Sequence, residues 1–291
     1  MRPRQVKTRT PPPATGLAND RCYAAPLNDC SRKITGEHTL SHSVLRELSP
    51  TGIVEVNGLP GRPHEEFVSV QAKGLISNVL CDRHNSALSN LDTVGHRFFK
   101  SLRAINAALR DKAKKPRNRP YLFNGHDVER YILKALCGDG FAGKMTDHGG
   151  RIRGWRPSAQ WVRILYGLEA FPEGWGLYLA ATPGVEFDLD EDTLGIRPIT
   201  NDREELCGAT FKALGLEFDL LMTVPNLAQP PYNNRDTSRY RPVEVDFSDG
   251  RATQGIIFGW DIRGQGRLLH IDHITEDRPQ APAQEGSSAM D

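Results

Sequence analysis

Residues 81–85 read Cys-Asp-Arg-His-Asn, a short run in which two metal-binding side chains are separated by two residues. Structural zinc takes four tetrahedral ligands, usually as two such pairs from separate segments of the chain. The nearest upstream cysteines are Cys22 and Cys30, with seven residues between them, whereas the usual first pair encloses two to four. We predict that Cys22, Cys30, Cys81 and His84 form a Cys₃His zinc site; the alternative is buried thiols and a chance Cys-x-x-His.

Strand and helix patterns surround this run. Lys33 to Leu40 predicts a short strand approached through Gly36, and Ser41 to Leu48 predicts a helix. Residues 53–56 and 66–71 nearly alternate polar and apolar side chains, which predicts a loop-linked strand pair. From Ser86 onward apolar side chains recur at helical spacing, at Leu88, Leu91, Phe98, Leu102, Ile105 and Leu109. This spacing predicts one amphipathic helix of about six turns.

Two further positions make the pattern more specific. Glu37 and His38 lie between the two ligand pairs, and Asn85 directly follows the last proposed ligand. Cys…Cys, then an acidic residue followed by His, then Cys-x-x-His-Asn at a helix start resembles the zinc-containing HNH, or ββα-metal, endonucleases. The endonuclease VII-like enzymes, with their treble-clef zinc site, are the most similar group. The resemblance covers about residues 22–95 and rests on seven positions.

The resemblance implies a role for each matched residue. Glu37 and Asn85 would bind a catalytic divalent ion, Mg²⁺ or Mn²⁺, and His38 would be the general base that takes a proton from the attacking water. The structural zinc would be held by Cys22, Cys30, Cys81 and His84. Phosphodiester hydrolysis needs an activated water and a cation to neutralise developing charge, so these residue types suit the reaction.

The sequence also departs from the family pattern. Leu88 stands where endonuclease VII-like enzymes carry another acid, and about forty residues separate His38 from Cys81. Neighbouring residues of a regular strand point to opposite faces, so Glu37 and His38 can share a site only at a bend, which Gly36 permits. His42 is an alternative phosphate contact, although an exposed side chain is the simpler interpretation.

The length of 291 residues favours two medium domains, and the fold class we predict is α+β. We predict a disordered basic arm at 1–20, an HNH-like domain at 21–115, a mainly β domain of unknown role at 120–275, and a disordered tail at 276–291. Within the β domain, Trp161 to Tyr166 is interpreted as one of seven strands and Glu204 to Leu214 as a helix. A short helix precedes them and is expected to stop at Cys137-Gly138.

The N-terminal and C-terminal parts of the chain carry net charges of opposite sign. Residues 1–156 carry 26 Lys and Arg against 14 Asp and Glu, whereas the remainder carries 11 against 22. This asymmetry indicates a polyanionic partner for the N-terminal part, and Arg97 to Arg119 is its densest basic stretch; a solvated helix face is the alternative. The resemblance to endonucleases implies that the partner is nucleic acid, most simply DNA. No run of apolar residues is long enough to span a membrane, and the odd number of cysteines favours reduced thiols, so we expect a cytoplasmic location.

Other groups are less specific. Cys137 and Cys207 lack a neighbouring base, and His64, His96, His126 and His148 lack a partner at metal spacing. His270 and Asp272 would share a strand face and could bind a metal, but a polar strand edge is the preferred interpretation.

The sequence therefore predicts a metal-dependent endonuclease with His38 as general base. The alternative is a noncatalytic zinc module that binds nucleic acid or protein. A third hypothesis makes the acidic C-terminal domain a sensor or partner-binding unit that covers the basic face and restrains the nuclease until a partner arrives, as in effectors of bacterial defence systems. This domain could bind a regulatory protein or a second copy of the chain.

Overall fold

The computed structural model describes residues 14–49, 51–56, 66, 68–110, 119–147, 150–180, 194–213, 216–226, 238–248 and 253–260. Most of the predicted basic arm, the whole predicted tail and part of the Arg97–Arg119 stretch lie outside these residues. The same holds for His64, His148, His270 and Asp272.

The N-terminal part contains two short 3-10 turns, at Ala25–Leu27 and Ala72–Leu75, among longer elements. These are β1 (Ile34–His38), α1 (His42–Leu48), β2 (Ile53–Val56), β3 (Val68–Gln71), β4 (Ile76–Cys81) and α2 (Asp82–Arg110). The predicted strand at 33–40, the helix at 41–48, the strand pair and the long helix are confirmed. α2 is longer than predicted, because it begins within the Cys-x-x-His run.

Strands β1 and β4 form an antiparallel pair, and α2 follows β4 directly. The register shifts between Thr35 and Glu37, so β1 carries a bulge at Gly36. A bulge changes the direction of the side chains that follow it. The hairpin of β2 and β3 is an insertion between the two paired strands.

The rest of the described chain supplies two helical and many β elements: β5 (Tyr121–Asn124), α3 (Gly125–Phe141), β6 (Thr146–Asp147), β7 (Gly150–Arg151), α4 (Ala159–Leu165), β8 (Gly176–Ala180), β9 (Leu194–Thr200), β10 (Leu206–Ala213), β11 (Leu216–Leu221), β12 (Ser238–Tyr240), β13 (Glu244–Ser248) and β14 (Thr253–Gly259). Five strands form an antiparallel sheet in the order β12-β8-β11-β10-β9. A second sheet has the order β13-β14-β5, in which β5 is parallel to β14. The α+β class is confirmed, with sheet as the main component.

Helix α3 lies at the centre of the molecule. All of its residues except His126 and Phe141 are buried, including Glu129 and Lys134. The helix packs against α2 and also contacts β4 and strands of the five-stranded sheet. A helix buried on every side must satisfy its charged groups with partners from the elements around it.

One hydrophobic cluster runs through both parts of the chain. It contains Cys22 near the start and Phe258 in the last described strand. The ring of Phe98, from α2, lies 5.4 Å from that of Phe123 in β5 and 6.0 Å from that of Phe218 in β11, measured between centroids. The long helix therefore contributes to the same core as the sheets.

Two elements differ from their predicted type. Residues 161–166, interpreted as a strand, lie in or next to α4, where the Ser158 hydroxyl caps the helix by accepting a hydrogen bond from the Trp161 amide. Trp161, Ile164 and Leu165 then fall on one buried face.

Residues 206–213, interpreted as part of a helix, form β10. This strand pairs with β9 on one side and β11 on the other, and its residues 208–211 are all buried. A strand buried on both faces has no alternating pattern, so the local sequence conceals it. The helix expected to stop at Cys137-Gly138 continues to Phe141. Gly138 lies inside the helix, where an added Cβ would be 2.5 Å from the Thr39 side chain, so this glycine permits close packing instead of ending the helix.

Among the described helices, none combines the length and the apolar character that crossing a lipid bilayer requires.

Candidate functional site

Four side chains converge at the point where β4 meets α2. Cys81 ends β4, His84 lies in the first turn of α2, and Cys22 and Cys30 lie on either side of the first 3-10 turn. All four are buried, and their ligand atoms lie within 4.8 Å of one another. The Nδ1 atom of His84 is 3.5, 3.6 and 3.2 Å from the Sγ atoms of Cys22, Cys30 and Cys81.

These separations match a tetrahedral zinc site. Zn–S and Zn–N bonds of about 2.3 and 2.0 Å place tetrahedral S and N ligands roughly 3.5 Å apart. The Nε2 atom of His84 is buried and has no hydrogen-bond partner among the described residues, so Nδ1 is the nitrogen directed into the cluster. The four predicted ligands are thus together, and the cluster could hold a structural metal such as zinc.

The electrostatics favour thiolate at one of the three cysteines. Hydrogen bonds from Cys22 and His84 lower the pKa of the Cys81 thiol. The hydrogen bond with Cys81 and burial raise the pKa of Cys22, and burial raises the pKa of Cys30. The backbone amides of Ser31 and Cys81 donate to the Sγ atoms of Cys81 and Cys22, over 3.3 and 3.4 Å. These donors stabilise negative sulfur, which is the form that binds metal.

The loop that carries Cys30 is anchored to α2. Arg83 donates two hydrogen bonds to Oδ2 of Asp29, over 3.0 and 2.8 Å, and both side chains are largely buried. Asn28 adopts a left-handed backbone conformation at the preceding turn. On the other side, the Tyr166 hydroxyl donates to the His84 carbonyl over 3.1 Å. The seven-residue gap between Cys22 and Cys30 is therefore an ordered loop around the metal position.

A second, charged cluster lies at the other end of the β1/β4 pair. The bulge at Gly36 directs the Glu37 carboxylate inward, where it forms an ion pair with Lys134 of α3. Burial raises the pKa of Glu37, and Lys134 opposes that rise.

Asn85 connects α2 to this end of β1. Its Nδ2 atom donates to Thr35 Oγ1 over 3.1 Å and to the Gly36 carbonyl over 3.4 Å. The amide nitrogen is committed to the strand, which leaves the amide oxygen as the atom able to bind a cation.

His38 is half-buried at the end of β1. Its Nδ1 atom is buried and has no hydrogen-bond partner among the described residues, and its ring centroid is 5.3 Å from that of His42. Burial, reinforced by His42, lowers the pKa of His38. The imidazole is therefore neutral at pH 7, with a nitrogen able to accept a proton.

Two members of the charged cluster were not predicted from the sequence. Lys134 also contacts the Asp92 carboxylate, which lies on α2 two turns beyond Asn85 and is 29% exposed. Residues seven apart share a helix face, and that spacing from Asn85 is the signal that could have identified Asp92. Leu88, the position where an acid was expected, is fully buried in the core. Lys134 lies between apolar residues, Tyr131–Leu133 and Ala135–Cys137, and this local context was the signal for its burial.

Of the dense basic stretch, the structure describes the half on α2 and Arg119. Arg97 and Lys100 are exposed on this helix, and the Arg97 guanidinium lies 5.9 Å from the centre of the Phe123 ring. Positive charge is thus present at the surface of the helix that carries Asn85 and Asp92.

In comparisons with known protein families, curated proteins and solved structures, nothing matches this chain.

Proposed function

We propose that the protein is a metal-dependent HNH-type endonuclease that hydrolyses phosphodiester bonds of nucleic acid, with DNA as the preferred substrate. The observation that supports the proposal is the hydrogen bonding of the Asn85 amide, in the first turns of α2, to Thr35 and Gly36 of β1. Glu37 and His38 follow Gly36 directly in β1, at the end of the β1/β4 pair opposite the Cys₃His cluster.

The donor set fits a hard divalent ion. Glu37, Asp92 and the Asn85 oxygen would hold Mg²⁺ or Mn²⁺, which prefer oxygen ligands. When bound, such an ion neutralises charge that develops on the phosphate. The ammonium of Lys134 already bonds to both carboxylates, so these two groups bind a positive charge in the metal-free protein.

The chain's own residues supply the acid–base chemistry. His38, neutral at pH 7, would take a proton from the attacking water at one of its ring nitrogens. The zinc cluster would hold the β1/β4 pair against the start of α2 and so fix the distance between His38 and Asn85. The exposed cations of α2 would bind phosphates without sequence preference, with an affinity that falls steeply with salt.

The test is plasmid nicking by the zinc-loaded protein, with and without Mg²⁺ or Mn²⁺. His38→Ala should lower the cleavage rate by about 10²–10⁴-fold, the usual contribution of a general base. His96→Ala is the matched control, because His96 lies on α2 and pairs with Glu47, 3.0 Å away. Equal cleavage by His38→Ala and wild type would refute the role of His38.

A noncatalytic zinc module that binds nucleic acid or protein is the second candidate. The ion pair between Glu37 and Lys134 favours it, since it occupies the carboxylate that a catalytic ion would need. Salt-dependent DNA binding without nicking in any divalent ion would support this function instead.

A further inference from the structure

Lys134 occupies an unusual position for a lysine. Its side chain is 1% exposed, and its ammonium bonds to one oxygen of Glu37 and one of Asp92. It reaches these carboxylates from α3, whereas they belong to β1 and α2. Three separate elements therefore meet at one positively charged atom.

The position selects for a cation. Two carboxylates that converge in a buried place repel each other unless a positive charge lies between them. With Lys134 present, the three groups carry a net charge of −1. A divalent ion beside the same two carboxylates would lie within a few ångströms of the ammonium and be repelled by it.

We propose that Lys134 and a divalent cation compete for Glu37 and Asp92. In the absence of metal, the ammonium holds the two carboxylates together, and Mg²⁺ or Mn²⁺ binds them only when the ammonium withdraws. The inference rests on the proposed function in taking Glu37 as a metal ligand. Lys134 is a positioning residue here, because it acts through the two carboxylates.

The exposure of the two carboxylates differs, and this sets the side from which an ion would approach. Asp92 is the more exposed partner, at 29% against 6% for Glu37, so an ion reaches the carboxylates from the Asp92 side. The four-carbon stem of lysine allows its ammonium to move while the backbone of α3 stays in place. Asn85 lies on the same face of α2 as Asp92 and would add its amide oxygen.

Mn²⁺ binding to the zinc-loaded full chain, followed by the electron paramagnetic resonance signal of free Mn²⁺, tests the competition without nucleic acid. Lys134→Met should bind Mn²⁺ at least about tenfold tighter than wild type, because a like charge is removed from the ion's position. The gain should disappear when Glu37→Gln or Asp92→Asn is added. Lys144→Met is the matched control: Lys144 is a partly buried lysine bonded to the Leu75 carbonyl, and its loss should change the affinity far less.

A second measurement needs no variant and so does not depend on whether Lys134→Met folds. Acetylation of wild-type lysines, mapped by mass spectrometry, should leave Lys134 unmodified in metal-free buffer and modify it when Mn²⁺ is added. Unchanged or weaker Mn²⁺ affinity in folded Lys134→Met, or unchanged labelling of Lys134 at Mn²⁺ saturation, would overturn the inference.

The outcomes separate this inference from the proposed function. Competition with Mn²⁺ in a protein that never nicks DNA would keep the inference and remove the nuclease. The opposite result is divalent-dependent nicking by wild type together with a Lys134→Met variant that binds Mn²⁺ no better than wild type. That result would keep the nuclease and remove the inference.

Discussion

The two polar clusters at the ends of the β1/β4 pair satisfy their buried groups in different ways. At the Cys₃His cluster, three thiols and one imidazole face one another, and the ligand set contains no cationic side chain. At the charged cluster, the chain supplies its own cation, Lys134, to the Glu37 and Asp92 carboxylates. The first cluster could hold a metal ion, whereas the second already contains a cation of the chain itself.

The difference teaches what each cluster can contribute. A set of converging thiolates gains most of its free energy when metal binds, so it couples metal to folding. A cluster with an internal ion pair needs no metal to neutralise its carboxylates. Under the proposed function, one end of the strand pair would stabilise the fold and the other would carry the chemistry.

The largest effect should come from removing a thiol ligand. Cys81→Ser should abolish stoichiometric zinc and lower the free energy of unfolding by more than about 5 kcal/mol, because structural zinc contributes directly to folding. Elemental analysis and urea denaturation would measure both quantities. Cys207→Ser is the control, since Cys207 lies in β10 and donates only to the Ile199 carbonyl. One zinc per chain in Cys81→Ser would contradict this ligand assignment.

The next effect concerns the internal cation. In zinc-loaded protein without other divalent ions, Lys134→Met should lower the free energy of unfolding by about 3–5 kcal/mol, because it leaves buried carboxylates unpaired. Adding Glu37→Gln should restore part of that loss. Lys212→Met, at an exposed pair with Glu217 3.9 Å away, should cost less than about 1 kcal/mol. A double variant less stable than Lys134→Met would show that repulsion between the carboxylates is not the cause.

A third cluster sharpens the comparison, because it also pairs a buried carboxylate with a cation of the chain. Glu129, fully buried on α3, accepts hydrogen bonds from the Leu177 amide (2.8 Å) and the Arg241 guanidinium (2.9 Å), with His126 Nδ1 3.1 Å away. Glu129→Gln should cost about 2 kcal/mol, measured by urea denaturation, and leave zinc content and Mn²⁺ affinity unchanged.

The control for that substitution is Glu169→Gln, at an exposed ion pair with Arg163, which should change stability by less than about 0.5 kcal/mol. A change in Mn²⁺ affinity in Glu129→Gln would mean that α3 transmits strain to Lys134, and the two internal clusters could not be treated as independent.

The smallest effect is expected at the bulge. A Cβ added to Gly36 would lie 2.8 Å from Ile76 Cγ2, a contact that the Ile76 side chain must relieve by shifting. Gly36→Ala should cost about 1 kcal/mol by thermal unfolding. Gly195→Ala in β9 is the matched strand control, because its added Cβ would meet only Lys212 Cβ, at 4.0 Å. Equal effects at the two glycines would show that the bulge tolerates a side chain.

The sequence predicted the zinc cluster better than the charged cluster, for a physical reason. Three cysteines and a histidine, two of them at Cys-x-x-His spacing, are typical metal ligands. Residue type and spacing therefore predicted the cluster of Cys22, Cys30, Cys81 and His84 without tertiary structure. Lys134 and Asp92 look like ordinary charged residues on helices. Only the packing of α3 against α2 brings them to Glu37, and no local pattern encodes that packing.

The secondary structure was likewise predicted where a local pattern marks it and missed where none does. Gly36 was expected to permit a bend, and β1 has a bulge at this residue, before Glu37 and His38 pair with Ser77 and Ile76. The amphipathic pattern predicted α2. The pattern over residues 206–213 indicated a helix, since residues buried on both faces lose the periodicity that marks a strand. β4 was not predicted, because its exposed Ile76 and buried Ser77 reverse the usual placement of apolar and polar side chains. The sequence signal for α4 is Ser158, whose side chain caps the first turn and marks the start of a helix.

The parallel pairing of β5 with β14 has a consequence for how the chain reaches its fold. Ile256 pairs with Tyr121, so β5 lacks this partner until almost all the described chain has been synthesised. The Cys₃His cluster, in contrast, is complete once His84 has left the ribosome. We therefore expect the Cys₃His end to assemble early during translation. β5 would remain without its partner strand until late, as an exposed edge that a chaperone could bind and that premature termination would leave unpaired.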